Sequence, residues 1–161
     1  YLIFNLKNYY KMSHPIKQLW LYNDWANKSI INAIKPQIEK IPSSAIKLLS
    51  HIVNAQMIWL SRLNGEKSNL GVWDEHTIME CEKYHNLSSD GLEKKIREYD
   101  ESEMLNISYL TTKNDQFENL FGDIILHIFN HGTYHRAQIA AAMRKNGFDP
   151  INTDYISFVR K

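Results

Sequence analysis

The sequence predicts an all-α fold, a bundle of four helices, on three observations. Apolar residues recur at three-to-four spacing through long segments, capping and breaking residues bound those segments, and the composition is that of an ordinary globular chain. Of 161 residues, 43% are apolar and 23% charged, which suits one domain with a buried core and does not suit a disordered chain.

The first helix is expected from about Ser13 to Ile34. Ser13 is an N-cap, and Pro15 falls in the first turn, where its missing N–H had no partner to lose. Leu19, Tyr22, Ala26, Ile30 and Ala33 form one buried stripe, and Lys35-Pro36 ends the helix because proline disfavours helix in the residue before it. The second helix runs from Ser43 or Ser44 to Asn64, with Gly65 as its stop. Leu48, Ala55, Ile58 and Trp59 share a face at roughly 100° per residue, and His51 lies in the middle of it. Residues 65–87 contain two glycines and are expected as a long connection with room for one helical turn.

The third helix is expected to start near Ser89 or Asp90; it is strongly charged, and Leu92, Ile96, Tyr99 and Met104 mark its inner side. Alternation on both sides of Lys113-Asn114-Asp115 predicts a small β-hairpin between Asn106 and Leu120. The fourth helix, about Leu120 to Asn146, is the longest and ends at Gly147 with Pro150 beyond. It is apolar on its far side too, through Leu126, Phe129, Ala140 and Met143. A helix apolar all round is covered on both sides. Either the tail from Phe148 to Val159 or a second subunit is the cover, and a homodimer is the favoured expectation.

Residues 12–161 are expected to form the single domain, and residues 1–11, aromatic and apolar, an N-terminal extension for which Met12 is an alternative start. That extension lacks the charged start and cleavage site of a signal peptide, and nothing approaches the roughly 18 to 20 apolar residues of a membrane span. Cys81 is the only cysteine, so there is no internal disulfide and no cysteine-based zinc cluster, as suits a cytoplasmic protein. The net charge is +1, from 19 basic and 18 acidic side chains without a basic cluster, which argues against nucleic acid as a partner.

The histidines carry the chemistry. His131-x-x-x-His135 places two imidazoles one turn apart on one helix face, within reach of a single metal ion. Leu120, Ile124, Ile128, Gln138, Ile139 and Ala142 lie within about 80° of His131, so these histidines point inward, where each needs a buried partner. A shared cation satisfies them together, and His51 is the natural third ligand. His127 is a fourth ligand, an outer partner, a proton acceptor beside the metal, or a core histidine bonded to a carbonyl. His14, His76 and His85 fall in caps or loops, Cys81 in a connection, and Trp20, Tyr22 and Trp25 are expected in the core. Three neutral ligands leave a divalent ion its charge and an open position, able to activate water or bind a thiolate; imidazole suits zinc, nickel, iron or copper. H-E-x-x-H is absent, which excludes the zinc-peptidase arrangement with its glutamate base.

Taken together, these segments resemble the DinB/YfiT family of bacterial four-helix metal-binding proteins, which is unrelated to the DNA polymerase sharing the name. The resemblance runs from about Met12 to Arg160. It is carried by Leu21-Tyr-Asn-Asp-Trp-Ala-Asn27, by Leu48-Leu-Ser-His-Ile52 with Trp59-Leu-Ser-Arg62, and above all by His127-Ile-Phe-Asn-His-Gly-Thr-Tyr-His-Arg-Ala-Gln-Ile139. Gly147-Phe-Asp-Pro and Asp154-Tyr-Ile-Ser-Phe-Val-Arg160 are similar to the family's tail. The resemblance implies a metal held by one histidine of the second helix and two of the fourth, matching His51, His131 and His135, and a dimer. It also implies kinship with metal-dependent transferases and isomerases that use low-molecular-weight thiols such as bacillithiol or mycothiol. A thiol S-transferase with zinc or nickel acting on a small-molecule substrate is therefore the leading expectation. A metal-dependent hydrolase and a non-enzymatic, stress-linked metal-binding module are the alternatives.

Overall fold

Pro15 opens the first helix, α1 (Pro15–Ile34), in a computed structural model that describes residues 15–99 and 104–160. The expected cap Ser13, His14 and the whole extension before Met12 lie outside the described residues. A 3₁₀ segment, Lys35–Lys40, follows with Pro36 in its first turn. Helix α2 (Ser43–Leu63) ends through Asn64 and Gly65, whose φ of +72° is the left-handed turn that a glycine stop supplies. After α3 (Ile78–Glu98), strands β1 (Asn106–Leu110) and β2 (Gln116–Leu120) form an antiparallel hairpin, with Asn106 opposite Leu120 and Leu110 opposite Gln116. Helix α4 (Phe121–Lys145) leads straight out of β2, and a short α5 (Tyr155–Val159) lies in the tail.

Helix α3 corrects the expectation, because it begins at Ile78 and not near Ser89 or Asp90. Thr77 caps it: the Glu80 N–H donates to the Thr77 hydroxyl at 3.3 Å, and the Thr77 N–H donates to the Glu80 carboxylate at 2.8 Å. The first half of the helix carries little apolar pattern since its inner side is partly polar, with His85, Ser88 and Ser89 buried beside Cys81. The connection from α2 to α3 is thus shorter than expected, residues 64–77. Met104 is a second correction: it lies beyond the helix and is 77% exposed, while Tyr99 caps the helix end and packs on Phe121.

The four long helices close a ring, α1 against α3, α3 against α2, α2 against α4 and α4 against α1. Two apolar cores fill it. One gathers Ile31, Ile34, Leu49, Ile52, Val53, Ile139 and Met143; the other gathers Leu92, Ile96, Phe121, Ile125, Ile128 and Phe129. Between them, at the middle of each helix, runs a belt of buried polar groups: Asn23 and Asn27, Gln56, His85 and Ser88, and Arg136.

Of the far side of α4, Phe129 and Met143 are buried within the chain and Leu126 stays 54% exposed. The tail lies on α1: the Tyr22 hydroxyl donates to the Thr153 carbonyl at 2.7 Å, and Phe158 packs on Tyr22 and Trp25. Trp20 donates its indole N–H to Ser89 at the α1–α3 contact, so all three aromatics of α1 serve packing, as expected. Among the described residues, no helix is long and apolar enough to cross a membrane.

Replacing the cap tests this account of α3. Thr77→Ala should lower the unfolding free energy by about 1 kcal/mol in urea titrations, with Thr77→Ser close to the parent. An unchanged midpoint for Thr77→Ala would mean that the helix start does not depend on the cap.

Candidate metal centre

Helix α2 brings His51, and α4 brings His131 and His135, to one point. The His51 and His131 Nε2 atoms are 3.2 Å apart, and the His135 and His131 Nε2 atoms 3.1 Å apart. His51 and His135 are buried and His131 is partly so. The three form a group whose ligand atoms lie within 4.8 Å of one another, the arrangement that can hold a metal ion.

The opposite edges of two rings decide what the converging atoms are. His51 Nδ1 lies 2.9 Å from the Val72 carbonyl and His135 Nδ1 lies 2.9 Å from Gln138 Oε1. Both oxygens accept, so both Nδ1 atoms carry the hydrogen and both Nε2 atoms turn a lone pair inward. A proton on His131 Nε2 could serve only one of these neighbours, whereas a cation serves all three nitrogens. Donors held at about 2.0–2.1 Å on a tetrahedral ion would be roughly 3.3 Å apart, close to the spacing here. The donor set therefore fits a divalent transition metal. Burial pushes His131 down to about 4, aided by the neighbouring His135, His51 and His127. Burial likewise lowers His51, although its bond to Val72 opposes the shift.

The connection between α2 and α3 supplies the wall of the centre. Trp73 stacks on His51 with ring centroids 3.9 Å apart and planes within 10°. Asn54, buried one turn along α2, pins this loop: its Nδ2 donates to the Asp74 carbonyl at 2.8 Å, and its Oδ1 accepts from His76 Nε2 at 2.6 Å. Sequence reasoning did not find Val72, Trp73 or Asn54. Asn54 had a signal, a polar residue on an otherwise apolar inner face; a backbone carbonyl in a loop has none.

His127 lies one turn before His131 and outside the converging group. Its ring is exposed on one side, packs edge-on against Trp59 at 5.3 Å and stands 5.7 Å from His131. Partial burial and the charge of Arg62 lower its pKa. His76 lies in the loop, as expected, and holds it; His85, expected in a cap or loop, lies instead within α3, buried between Asp24 and Asn27, because that helix starts earlier than its apolar pattern suggests. Cys81, expected in a connection, lies in the first turn of α3 and is buried, and burial raises its thiol pKa, which disfavours a nucleophile.

The sequence model of the DinB family matches residues 12–161, most of the chain. The chain belongs to the DinB family. It is similar to Protein DinB of Bacillus subtilis (strain 168), 26% identical over 160 residues that cover 89% of this chain and 93% of that protein. Within this DinB chain, the residues around the three histidines acquire physical roles. Arg136, beside His135, is 2% exposed, and its Nη1 donates to Asn23 Oδ1 at 2.8 Å and Asn27 Oδ1 at 2.9 Å, its Nη2 to Thr133 at 2.8 Å. A side chain at Gly132 would bring its Cβ to 2.9 Å from both Arg136 Nη1 and Asn23 Oδ1, so glycine is what lets α1 approach α4 here.

Two measurements check the centre. Gln138→Ala should weaken metal binding by about 10- to 100-fold through loss of the His135 support, while His127→Ala leaves it within a few-fold of the parent. Equal effects would place His127 among the ligands. The second measurement uses metal-free protein. The unfolded chain takes up a proton at His131 near the ordinary value of 6.5, and the folded protein only near 4. Stability therefore falls as pH drops from about 6.5 towards 4. The melting temperature should decline through that window, more shallowly in His131→Gln; identical slopes would contradict the burial account.

Proposed function

We propose that this chain is a metal-dependent enzyme that joins a low-molecular-weight thiol to an electrophilic small molecule. The observation that carries the reading is the convergence of three imidazole Nε2 atoms, two of them oriented by oxygens behind them. His51, His131 and His135 would hold a zinc or nickel ion, which would keep its full positive charge, because its donors are neutral, and would lower the pKa of a thiol brought to it. His127, kept neutral by its lowered pKa, accepts the thiol proton at an imidazole nitrogen. The sulfur then forms its bond to the electrophilic carbon as the leaving group departs with its electron pair. Trp73 shields His51 from solvent on one face and holds its ring still. The same reading includes a homodimer in the cytoplasm, for which the exposed Leu126 on α4 offers an apolar contact.

The test is conjugation of cysteine, glutathione and larger cellular thiols to 1-chloro-2,4-dinitrobenzene by zinc- or nickel-loaded protein. Conjugation should exceed the uncatalysed rate and vanish in His131→Ala. His127→Gln should keep its full equivalent of metal but lose about 100-fold in kcat. Loaded protein that conjugates none of these thiols, yet hydrolyses an activated ester, would replace the transferase by a hydrolase. Loaded protein inert in both assays would leave a metal-binding module.

A further inference from the structure

A cavity of about 470 Å³ opens between the C-terminal half of α2, the loop after Gly65 and strand β1. That volume is in the range of small-molecule sites, roughly 300–1,000 Å³. It does not lie over the three histidines but along α2 from them. Ile58 and Arg62 project within about 20° of the His51 direction, seven and eleven residues further on, hence about 10 and 16 Å along the helix axis. Trp59, which touches His127, bridges the interval.

The wall of the cavity is apolar at Ile58, Leu70 and Leu110 and carries three charged side chains, Arg62, Glu66 and Lys67, of which Arg62 alone is held against aromatic rings among the described residues. The Arg62 guanidinium lies 4.4 Å from the Trp59 ring centroid and 5.2 Å from that of Tyr109, which fixes its plane. Among the described residues no carboxylate forms an ion pair with it, Glu66 of the cavity wall included. Three of the neighbouring hydroxyls are already engaged. Tyr109 donates to Asn119, Ser108 donates to Glu118, and Thr111 accepts from two backbone N–H groups of its turn.

We propose that this cavity binds the small-molecule substrate and selects an amphiphilic monocarboxylate. The carboxylate takes the Arg62 fork, the geometry that guanidinium matches with two parallel hydrogen bonds. The apolar body lies along Ile58 and Leu70, directing the other end of the molecule towards His127 and the three-histidine centre. A single negative charge is matched here: Arg62 and Lys67 stand with Glu66 in one wall, a formal balance of +1, and the carbonyls of the last turn of α2 oppose a dianion such as phosphate more strongly than a monoanion. The placement of the reacting end rests on the enzymatic reading above; the carboxylate site itself does not, and its test requires no metal.

The probe is hexanoate, with hexanamide as its uncharged control, titrated calorimetrically into metal-free and zinc-loaded protein. Hexanoate should bind both forms alike and at least about tenfold more tightly than hexanamide. Arg62→Gln, which keeps much of the stem over the rings, should remove that preference, bringing hexanoate to about the affinity of hexanamide; Arg62→Lys should retain part of it. Circular dichroism and melting of the variants confirm that they are folded. Equal binding of acid and amide by the parent, or an undiminished preference in folded Arg62→Gln, overturns the proposal. So does hexanoate binding seen only with zinc, which would put the carboxylate on the metal. A protein that takes up no zinc but shows the Arg62-dependent preference would defeat the metalloenzyme reading and leave this site standing.

Discussion

The guanidinium of Arg136 lies at the centre of the bundle with no carboxylate among its hydrogen-bond partners, held instead by two asparagines of α1 and a threonine of its own helix. Leaving such a charge buried without partners would cost several kcal/mol, so α1 and α4 are confined to the register that supplies those oxygens. Asn27 extends the constraint. Its Oδ1 is turned to Arg136, so its Nδ2 faces His85 Nδ1 at 3.5 Å, and His85 Nε2–H donates to Asp24 at 3.2 Å. Burial alone would raise the Asp24 pKa; hydrogen bonds from His85, Lys28 and Ser89 overcome that and hold the carboxylate well below its ordinary range. The belt thus joins a positive charge on α4 to a negative one on α1 through α3, and it separates the two apolar cores.

The three-histidine cluster inherits its geometry from this belt. Arg136 and His135 are adjacent on α4, so the register that satisfies the guanidinium also sets the height at which His131 and His135 meet His51. The apolar cores on either side supply much of the driving force but little direction, since isoleucines and leucines tolerate small axial shifts that hydrogen bonds do not. The site is therefore placed by polar groups and stabilised by apolar ones.

Much of this was legible in the sequence, and what was not shares a cause. Helices α1, α2 and α4 announce themselves by apolar stripes and by Pro15, Gly65 and Gly147 at their ends. The converging trio follows from His51, His131 and His135 lying on inward faces. The hairpin follows from alternation around Asn114, whose φ of +64° makes the turn. The first half of α3 escaped because its inner side is built of His85, Ser88 and Ser89, whose partners come from other helices and cannot be seen in a periodicity of apolar residues. The pattern Thr77-x-x-Glu80 was the available signal. Near the site, Gln138 stood on the expected face, but Val72 acts through a backbone carbonyl, and Trp73 acts through a loop conformation that local sequence does not encode.

That loop gives the centre an asymmetry in time. His131 and His135 ride on a helix locked into the belt, and their motion requires the bundle itself to open. The outer support of His51, in contrast, comes from residues 72 and 73, in a loop kept in place mainly by hydrogen bonds with the side chains of Asn54, Ser50 and Lys47. Segments held this way open locally, at far smaller free energy than global unfolding. Exchange of an ion at these histidines would then be gated by one loop, and its rate would be decoupled from the stability of the fold around it.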